Sequence, residues 1–152
     1  MATDHVISSG ISIRPAALDD AGALAALSTQ LGYPTSEDEA RRRLTPILEN
    51  PENVLYVAAT PGGRVIGWLH AYLCRLVESD LNAEIGGLVV DQQDRRSGAG
   101  RLLMQYAEHW ARSKNCKTVN LRSNIIREGA HAFYLHLGYE IVKTQHAFRK
   151  FL

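Results

Sequence analysis

The feature that most constrains this chain is an apolar strand pattern at residues 83–90 that runs through a glycine-rich turn into an amphipathic helix pattern. Gly86 and Gly87 interrupt the strand, and glycines inside a strand often mark a bulge or a close approach of another group. The turn contains Gly98 and Gly100, and beyond it apolar residues recur at the three- and four-residue spacing of a helix. This arrangement is typical of a mixed α/β sheet in which a helix crosses over to a parallel strand.

The periodicity of the rest of the chain predicts the other elements. Apolar runs and alternation predict strands at 11–14, 54–59, 64–73, 118–121, 139–142 and 147–152. Helical spacing and capping residues predict helices at 18–31, at 35–46, where Pro46 ends or kinks the helix, and at 130–137. The predicted fold class is α/β, with a mixed central sheet of about six to seven strands, helices on both faces and the order β-α-α-β-β-β-α-β-α-β-β. The 152 residues contain no repeat or linker, so we expect one domain over residues 1–152.

Composition narrows the class of protein. The 17 Lys and Arg residues nearly balance the 16 Asp and Glu residues, which argues against a nucleic-acid binder because such proteins carry a strong basic excess. The most apolar stretch, residues 65–74, is too short to span a membrane, and the first residues lack the pattern of a secretory signal. Cys74 and Cys116 have neither disulfide-framework nor metal-ligand spacing, so we expect a cytoplasmic protein that binds no metal.

The turn before the predicted helix is suited to a pyrophosphate. Glycines let backbone N–H groups approach a ligand, the helix N-terminus adds a partial positive charge, and Arg95, Arg96 and Arg101 add full charges. No Lys-Ser or Lys-Thr follows Gly100, which excludes a P-loop, and Leu103 stands in place of the third glycine of a dinucleotide fingerprint. The alternative interpretation is a glycine-rich helix start that binds nothing.

Two separated motifs resemble those of one enzyme family. Residues 95–100, with the sequence RRSGAG, resemble the R/Q-x-x-G-x-G/A acetyl-CoA signature of the GNAT superfamily of N-acetyltransferases. Residues 127–139 resemble the second motif of that superfamily, N-x-x-A-x-x-F-Y-x-x-x-G-F/Y, except that Arg127 stands where the motif has Asn. The predicted element order is also the one this family shows, and residues 30–34 are similar to its small single-domain bacterial branch.

The resemblance implies acetyl-CoA as the co-substrate and assigns the residues that bind it. The backbone groups of Leu88, Val89 and Val90 are expected to pair with the pantetheine arm as an added strand would. The residues expected to hold the pyrophosphate are Arg95, Arg96, Ser97, Gly98, Ala99, Gly100 and Arg101. Arg127, in place of the motif Asn, is expected to meet a phosphate or a carboxylate.

Acetyl transfer to an amine requires a neutral nucleophile and a proton for the leaving thiolate. The resemblance implies Glu84 as the general base, because its segment is similar to the catalytic-glutamate segment of histone acetyltransferases. The alternative role for Glu84 is to bind a cationic substrate. The resemblance also implies Tyr134 as the acid that protonates the thiolate. Alternatively, Tyr134 belongs to the apolar stripe of its helix, with Ala130, Phe133 and Leu137.

The predicted function is transfer of an acetyl group from acetyl-CoA to an amine of a small molecule or peptide, by direct attack in a ternary complex. Tyr33, Glu84 and His70 are the candidate residues for binding the acceptor, with Tyr33 in a loop and His70 on a neighbouring strand. The alternatives are an acyl-CoA-binding or sensor module without turnover, and a transferase that uses another acyl-CoA. We expect no nucleic-acid or membrane partner, and the homodimer that is common in the resembled family is left open.

Overall fold

The computed structural model describes residues 5–6 and 10–152, and the chain divides into two compact units, one ending at Leu121 and the other comprising Arg122–Leu152. The strands are β1 (His5–Val6), β2 (Ser12–Pro15), β3 (Asn53–Ala59), β4 (Val65–Leu76), β5 (Ser79–Val90) and β6 (Val119–Leu121). The α-helices are α1 (Ala21–Leu31), α2 (Glu37–Glu49), α3 (Ala99–Ser113) and α4 (Glu128–His136). Short 3-10 helices occupy Leu18–Asp20 and Gln92–Asp94. Across the described residues, no helix is both long and apolar enough to cross a membrane.

The first unit is built around a six-stranded sheet whose strands lie side by side in chain order. Strands β1 to β5 pair antiparallel with their neighbours. Strand β6 pairs parallel to β5, and α3 supplies the crossover between these two strands. The predicted fold class is therefore confirmed, with antiparallel strands early in the chain and a helical crossover late.

Helices cover both faces of this sheet. On one face, Leu24 of α1 and Leu44 of α2 pack with Val57 of β3 in one buried cluster. On the other face, the ring of Tyr106 from α3 lies 5.5 Å from the ring of Tyr56 in an edge-on contact. Because Tyr56 and Val57 are consecutive in a strand, their side chains point to opposite faces. We call the first of these the α1–α2 face.

Capping residues set the helix boundaries that the sequence predicts. The Glu39 N–H donates to Ser36 Oγ (3.1 Å) and the Ser36 N–H donates to Glu39 Oε1 (3.0 Å), a capping box that starts α2. Gly32 ends α1 in a left-handed conformation with φ 108°. The helix does not end at Pro46, one of the two outcomes predicted for that residue. Its last turn packs Ile47 against the buried cluster, which compensates for the backbone donor that proline lacks.

Two tight hairpins connect β3, β4 and β5. The first runs through Pro61, Gly62 and Gly63 as predicted, and the Gly63 N–H donates to the Thr60 carbonyl (2.8 Å). The second joins β4 to β5 at residues 77 and 78, and the sequence did not predict it because these residues carry no glycine or asparagine turn signal. Strand β1 was also not predicted, since two residues are too few to show a periodicity.

The second unit contains α4, followed by a segment without regular structure. Gly138 follows the helix with φ 95°, in the left-handed position predicted for it. The prediction of strands at 139–142 and 147–152 is wrong, since these residues form neither strand nor helix in the described structure. Alternating apolar residues favour an extended chain, but a strand also needs a paired neighbour, and the described second unit supplies none. Val142 and Phe148 are accordingly 82% and 94% exposed.

Candidate active site

A bulge opens the middle of β5. The register between β4 and β5 shifts next to His70, so that Gly86 is an extra residue without a partner on β4. A Cβ atom at Gly86 would come within 3.2 Å of His70 Nδ1, and one at Gly87 would come within 2.6 Å of the Trp68 ring. Both glycines therefore leave space that side chains of β4 border. Gly86 is also exposed, so this space, which we call the Gly86 recess, is open to solvent.

The walls of the Gly86 recess are polar and aromatic. Trp68, His70 and Tyr72 share one face of β4, because alternate residues of a strand point the same way. Tyr72 pairs across the ladder with Glu84, which places Glu84 at the next position along the same face. This is the α1–α2 face, since Trp68 packs against the cluster that contains Leu24. The structure thus brings together Glu84 and His70, two of the residues predicted to bind the acceptor.

His70 is oriented by a side chain from β3. Its Nε2 lies 2.8 Å from Asn53 Oδ1, and because an amide oxygen can only accept, Nε2 carries the proton and Nδ1 is an acceptor. The Nδ1 atom borders the Gly86 recess. Burial lowers the pKa of His70 below its ordinary value of 6.5, so the imidazole is neutral at pH 7.

Beyond the bulge, β5 has an unpaired edge. Its parallel pairing with β6 runs from Ala83 to Ile85 and ends there, and no strand of the described chain pairs with residues 86–90 on that side. The predicted pantetheine-binding residues, Leu88, Val89 and Val90, lie on this edge. Val89 as a whole is only 4% exposed and its carbonyl lies toward Gly67 of β4, whereas its neighbours Leu88 and Val90 are partly exposed. Unpaired N–H and C=O groups along a strand edge can bind an amide-rich ligand as they would bind a further strand.

The turn after β5 contains two residues in the left-handed conformation. Arg96 has φ 69° and Gly98 has φ 91°. A non-glycine residue is strained in this conformation, and such strain is concentrated at ligand sites. Gly98 is the N-cap of α3 and offers no side chain, while the Ala99 N–H donates to Ser97 Oγ at 3.3 Å. The N–H groups of Gly100 and of the following Arg101 have no acceptor within the helix, so they are available to an anion.

The turn between β5 and α3 carries net positive charge, because Arg95 and Arg96 outweigh Asp91 and the other acidic residue, Asp94, is already paired. Asp94 accepts hydrogen bonds from Nη1 and Nη2 of Arg64 at 3.1 and 3.2 Å. Arg95, Arg96 and Arg101 are exposed and form no ion pair with the described part of the chain. The three guanidinium groups can therefore contribute their full charge to a phosphate ligand.

The end of α1 is tied to the same turn. The Gln92 N–H donates to Gln30 Oε1 at 3.2 Å, although these residues are 62 positions apart. Tyr33 follows α1 and its backbone N–H donates to the Ser28 carbonyl (3.0 Å), while its side chain extends into solvent. The loop that carries Tyr33 is thus anchored beside the start of the turn.

Arg127 and Tyr134 lie in the second unit. The Arg127 carbonyl accepts from the His131 N–H (3.1 Å) at the start of α4. The Tyr134 ring contacts the rings of Phe133 and Tyr139, with centroids 5.2 and 6.1 Å away. Burial raises the pKa of Tyr134 above its ordinary value of 10.0, an effect that the charge of Arg127 opposes. The phenol is therefore protonated at neutral pH and can donate a proton.

Comparison with known proteins decides the family. The sequence pattern of the acetyltransferase (GNAT) family matches residues 22–139, which is most of the chain and crosses the division between the two units. The chain belongs to the acetyltransferase (GNAT) family. The predicted family is confirmed, and with it, at the level of the family, the class of enzyme and acetyl-CoA as its co-substrate.

Three similar proteins illustrate the relationship. An aminoalkylphosphonate N-acetyltransferase from Salmonella typhimurium is 35% identical over 58% of this chain and 58% of its own length. An aminoglycoside N(6')-acetyltransferase from Klebsiella aerogenes is 26% identical over 75% of this chain and 76% of its own length. The crystal structure of an aminoglycoside 6'-N-acetyltransferase from Acinetobacter baumannii superposes with a TM-score of 0.83 at 23% identity, covering 94% of this chain and 99% of that one. The match thus spans little more than half the length of the Salmonella relative, and the likeness to the Acinetobacter structure shows the shared fold.

The structure also adds residues that the sequence did not identify. Asn53 orients His70, and Arg64 neutralises Asp94, but neither residue belongs to a recognisable motif. Gly86 was the available signal, since a glycine inside a strand predicts a bulge or a close approach, and both are present. Within the described residues, no group of three or more His, Cys, Asp or Glu side chains is placed to hold a metal ion.

Proposed function

We propose that this chain acts as one domain over residues 1–152 and transfers an acetyl group from acetyl-CoA to a primary amine in a ternary complex. The observation that carries the proposal is the continuity of the unpaired β5 edge with the cationic turn that follows it. Pantetheine would pair with residues 88–90, and the pyrophosphate would lie on the turn, at residues 95–101. A glycine-rich helix start that binds nothing would need neither an unpaired strand edge nor a strained Arg96.

The donor site in this proposal is mostly backbone. Leu88, Val89 and Val90 supply the strand edge, and the N-terminus of α3 supplies the N–H groups of Gly100 and Arg101. The charges of Arg95 and Arg96 add to the attraction for phosphates. Arg127 would meet a further phosphate or carboxylate, in the role that its charge allows.

The acceptor site in this proposal is the Gly86 recess, and the acceptor is a cationic small-molecule or peptide amine. Glu84 attracts an ammonium group, and Glu84 either binds that group or deprotonates it. His70 and Tyr33 supply further contacts, His70 from β4 and Tyr33 from the loop anchored by Gln30. The two curated relatives are named for an aminoalkylphosphonate and an aminoglycoside, and both of these acceptors carry an amine.

Tyr134 would protonate the thiolate of CoA as it leaves. Its phenol is protonated at neutral pH, which an acid requires, and its hydroxyl is the one polar group that distinguishes it from the neighbouring Phe133. Loss of this proton donor would slow the collapse of the tetrahedral intermediate.

The two cysteines support direct attack over an acetyl-cysteine intermediate. Cys116 lies in a separate cavity of about 160 Å³ beside Glu108 and Arg112, at the end of α3 opposite to the glycine-rich turn. Burial raises the pKa of the Cys116 thiol, whereas a nucleophilic cysteine needs a lowered pKa. Cys74 pairs with Asn82 on the far side of Glu84 from the Gly86 recess.

The test is a measurement of CoA release. The purified chain is incubated with acetyl-CoA and, separately, 2-aminoethylphosphonate, kanamycin or an N-terminally blocked lysine peptide, with a thiol reagent as readout and mass spectrometry of the product. We expect CoA release and an N-acetylated product with at least one amine. Calorimetric binding of acetyl-CoA without turnover on any amine would instead favour the sensor module. Faster turnover with succinyl-CoA would favour another acyl donor.

A homodimer and a cytoplasmic location stay predictions for this chain. Light scattering of the purified protein over a range of concentrations tests the first, and the absence of nucleic-acid and membrane partners is tested by binding to duplex DNA and to lipid vesicles.

A further inference from the structure

We infer that His70, held in place by Asn53, is the group that takes the proton from the acceptor amine, and that Glu84 binds the ammonium without deprotonating it. The inference rests on the proposed acetyl transfer and assigns a proton path within the same site. It depends on three observations, namely the side of the ring that Asn53 occupies, the space left by Gly86 and the protonation state of the imidazole.

The hydrogen bond from Asn53 fixes the tautomer of His70. Nε2 is 2.8 Å from Asn53 Oδ1, so the proton resides on Nε2 and the lone pair is on Nδ1. When Nδ1 takes up a second proton, the ring becomes a cation and the Asn53 carbonyl strengthens its hydrogen bond to Nε2–H. Asn53 is therefore a positioning residue that both orients the base and stabilises its charged form.

The bulge keeps the basic nitrogen accessible. Any side chain at Gly86 would place its Cβ 3.2 Å from His70 Nδ1 and 3.3 Å from Tyr72 Cε1. Because Gly86 has no side chain and is exposed, an amine of the acceptor can reach Nδ1 from the Gly86 recess. Glu84 lies one position further along the same face, as the ladder partner of Tyr72. A carboxylate at this neighbouring position of the sheet attracts the ammonium group toward the imidazole.

The surroundings keep the imidazole neutral at physiological pH. Burial lowers the pKa of His70. The titratable groups beside it on the sheet are Tyr72, whose ring centroid is 5.8 Å away, and Glu84. Helix α1, which packs on this face, contains no titratable residue, and the acidic residues in the first turn of α2 are exposed or paired with arginines of the same helix. A neutral imidazole can accept a proton at neutral pH, and imidazoles are better matched to general-base catalysis there than a typical carboxylate.

The proton balance of the step is simple. The acceptor enters as R–NH₃⁺, its N–H bond breaks, and the proton passes to Nδ1, which leaves R–NH₂ and an imidazolium. The nitrogen lone pair then forms a bond to the thioester carbon, and collapse of the intermediate breaks the C–S bond. In the proposed function the thiolate takes a proton from Tyr134. The nitrogen, which became positively charged when it bonded to the thioester carbon, releases its second proton to solvent, and the tyrosinate regains one proton from solvent. His70 returns the proton on Nδ1 to solvent, so the net reaction releases one proton.

The experiment measures kcat/KM from about pH 5 to about pH 9 for four variants, with the best acceptor among 2-aminoethylphosphonate, kanamycin and the lysine peptide. His70→Gln should lower kcat/KM by roughly 10²–10⁴ and abolish the decline at acidic pH that protonation of His70 causes. Asn53→Asp should shift that acidic decline upward by about 1 pH unit or more, because a carboxylate stabilises the imidazolium. Glu84→Gln should raise KM and leave the acidic decline in place. His109→Gln, an exposed histidine of α3, is the matched control and should behave as wild type.

The outcomes separate this inference from the proposed function. If the wild-type protein acetylates none of the amines, the proposed function fails and the inference fails with it. If the wild type is active and His70→Gln keeps both its rate and its acidic decline, the inference alone is overturned. The same holds if Asn53→Asp leaves the decline where it was, or if nitrogen NMR places the proton of neutral His70 on Nδ1. Calorimetry with CoA on each variant confirms that the cofactor site is intact.

Discussion

Arg64 and Asp94 form a bidentate ion pair, in which Arg64 Nη1 lies 3.1 Å from Asp94 Oδ2 and Arg64 Nη2 lies 3.2 Å from Asp94 Oδ1. Arg64 stands at the end of the β3–β4 hairpin turn and Asp94 stands immediately before Arg95, so the pair ties the hairpin to the turn that precedes α3. It also cancels the negative charge that lies closest along the chain to the proposed phosphate site. The charge of the turn thus depends on a residue from another part of the sheet.

We expect Arg64→Gln to weaken CoA binding about two- to fivefold, because Asp94 would then oppose the charge of Arg95 and Arg96. Calorimetric titration with CoA measures the effect. Arg75→Gln breaks another exposed ion pair, the one to Glu52 at 3.0 Å, and serves as the control that should leave CoA affinity unchanged. Equal affinities for the two variants would show that Asp94 does not influence the phosphate site.

Gly100→Ala should change stability and binding in opposite directions. Alanine favours a helix over glycine, so the variant should gain about 0.5 kcal/mol in its free energy of unfolding. Its methyl group would stand where the pyrophosphate approaches the N-terminus of α3, so CoA affinity should fall roughly tenfold to a hundredfold. Gly62→Ala, whose Cβ would meet nothing closer than Thr60 Oγ1 at 4.0 Å, is the control for binding. If Gly100→Ala binds CoA with wild-type affinity, the pyrophosphate does not bind at this turn.

Tyr134→Phe should lower turnover by roughly 10²–10⁴ if the phenol is the acid. The phenylalanine keeps the ring contacts to Phe133 and Tyr139, so CoA affinity and thermal stability should change little. Because the pKa of Tyr134 is raised, wild-type turnover should persist through neutral pH, and its alkaline decline should begin where the phenol ionises. That alkaline decline should be missing in the variant. Unchanged turnover, in a single-turnover assay that isolates chemistry, would return Tyr134 to a packing role.

Asp20→Asn should destabilise the first unit and alter its acid sensitivity. Burial raises the pKa of Asp20, but hydrogen bonds from Arg14 (2.8 Å twice) and from the Ala17 N–H (2.8 Å) outweigh it, so the pKa is lowered overall. The stability from this carboxylate is therefore complete above its ordinary value of 3.8 and is lost as the pH falls through the folded-state pKa. We expect a loss on the order of 2 kcal/mol at pH 7 and a weaker loss of stability in acid than in wild type.

Urea unfolding at neutral and acidic pH measures both effects, with Asp80→Asn as the control because Asp80 is exposed. If Asp20→Asn and wild type lose stability in parallel as the pH falls, the carboxylate of Asp20 is not responsible for the acid sensitivity.

The elements that the sequence predicted well are those whose boundaries are set by neighbouring residues. The Ser36–Glu39 capping box and the left-handed Gly32 are local devices, so the chain itself shows where α2 begins and α1 ends. The parallel crossover was also predictable, because an apolar strand that leads into an amphipathic helix allows few other arrangements. The residues after Gly138 show the opposite case. Their alternation is local, but strand formation depends on a partner elsewhere.

In the candidate site, too, features set by neighbouring residues could be predicted from the sequence, and features set by contacts between strands could not. The glycine-rich turn could be read from the sequence because each glycine acts through its own backbone, and Gly98 does adopt φ 91°. The orientation of His70 could not, since it depends on the register that brings Asn53 beside it from a strand 17 residues earlier. Glu84 was found through a resemblance, and its closeness to His70 follows from the β4–β5 ladder.

The unpaired stretch of β5 has a consequence for the newly made chain. An open strand edge is a template for aggregation, and residues 86–90 present such an edge within the described structure. A pantetheine arm on that edge would occupy the same donors and acceptors, and ligand at a hundredfold excess over its dissociation constant stabilises a fold by about 2.7 kcal/mol. Acetyl-CoA would then stabilise the newly made chain as well as supply the acetyl group. The yield of folded, unaggregated protein from an expression host should therefore rise with the acetyl-CoA level of that host.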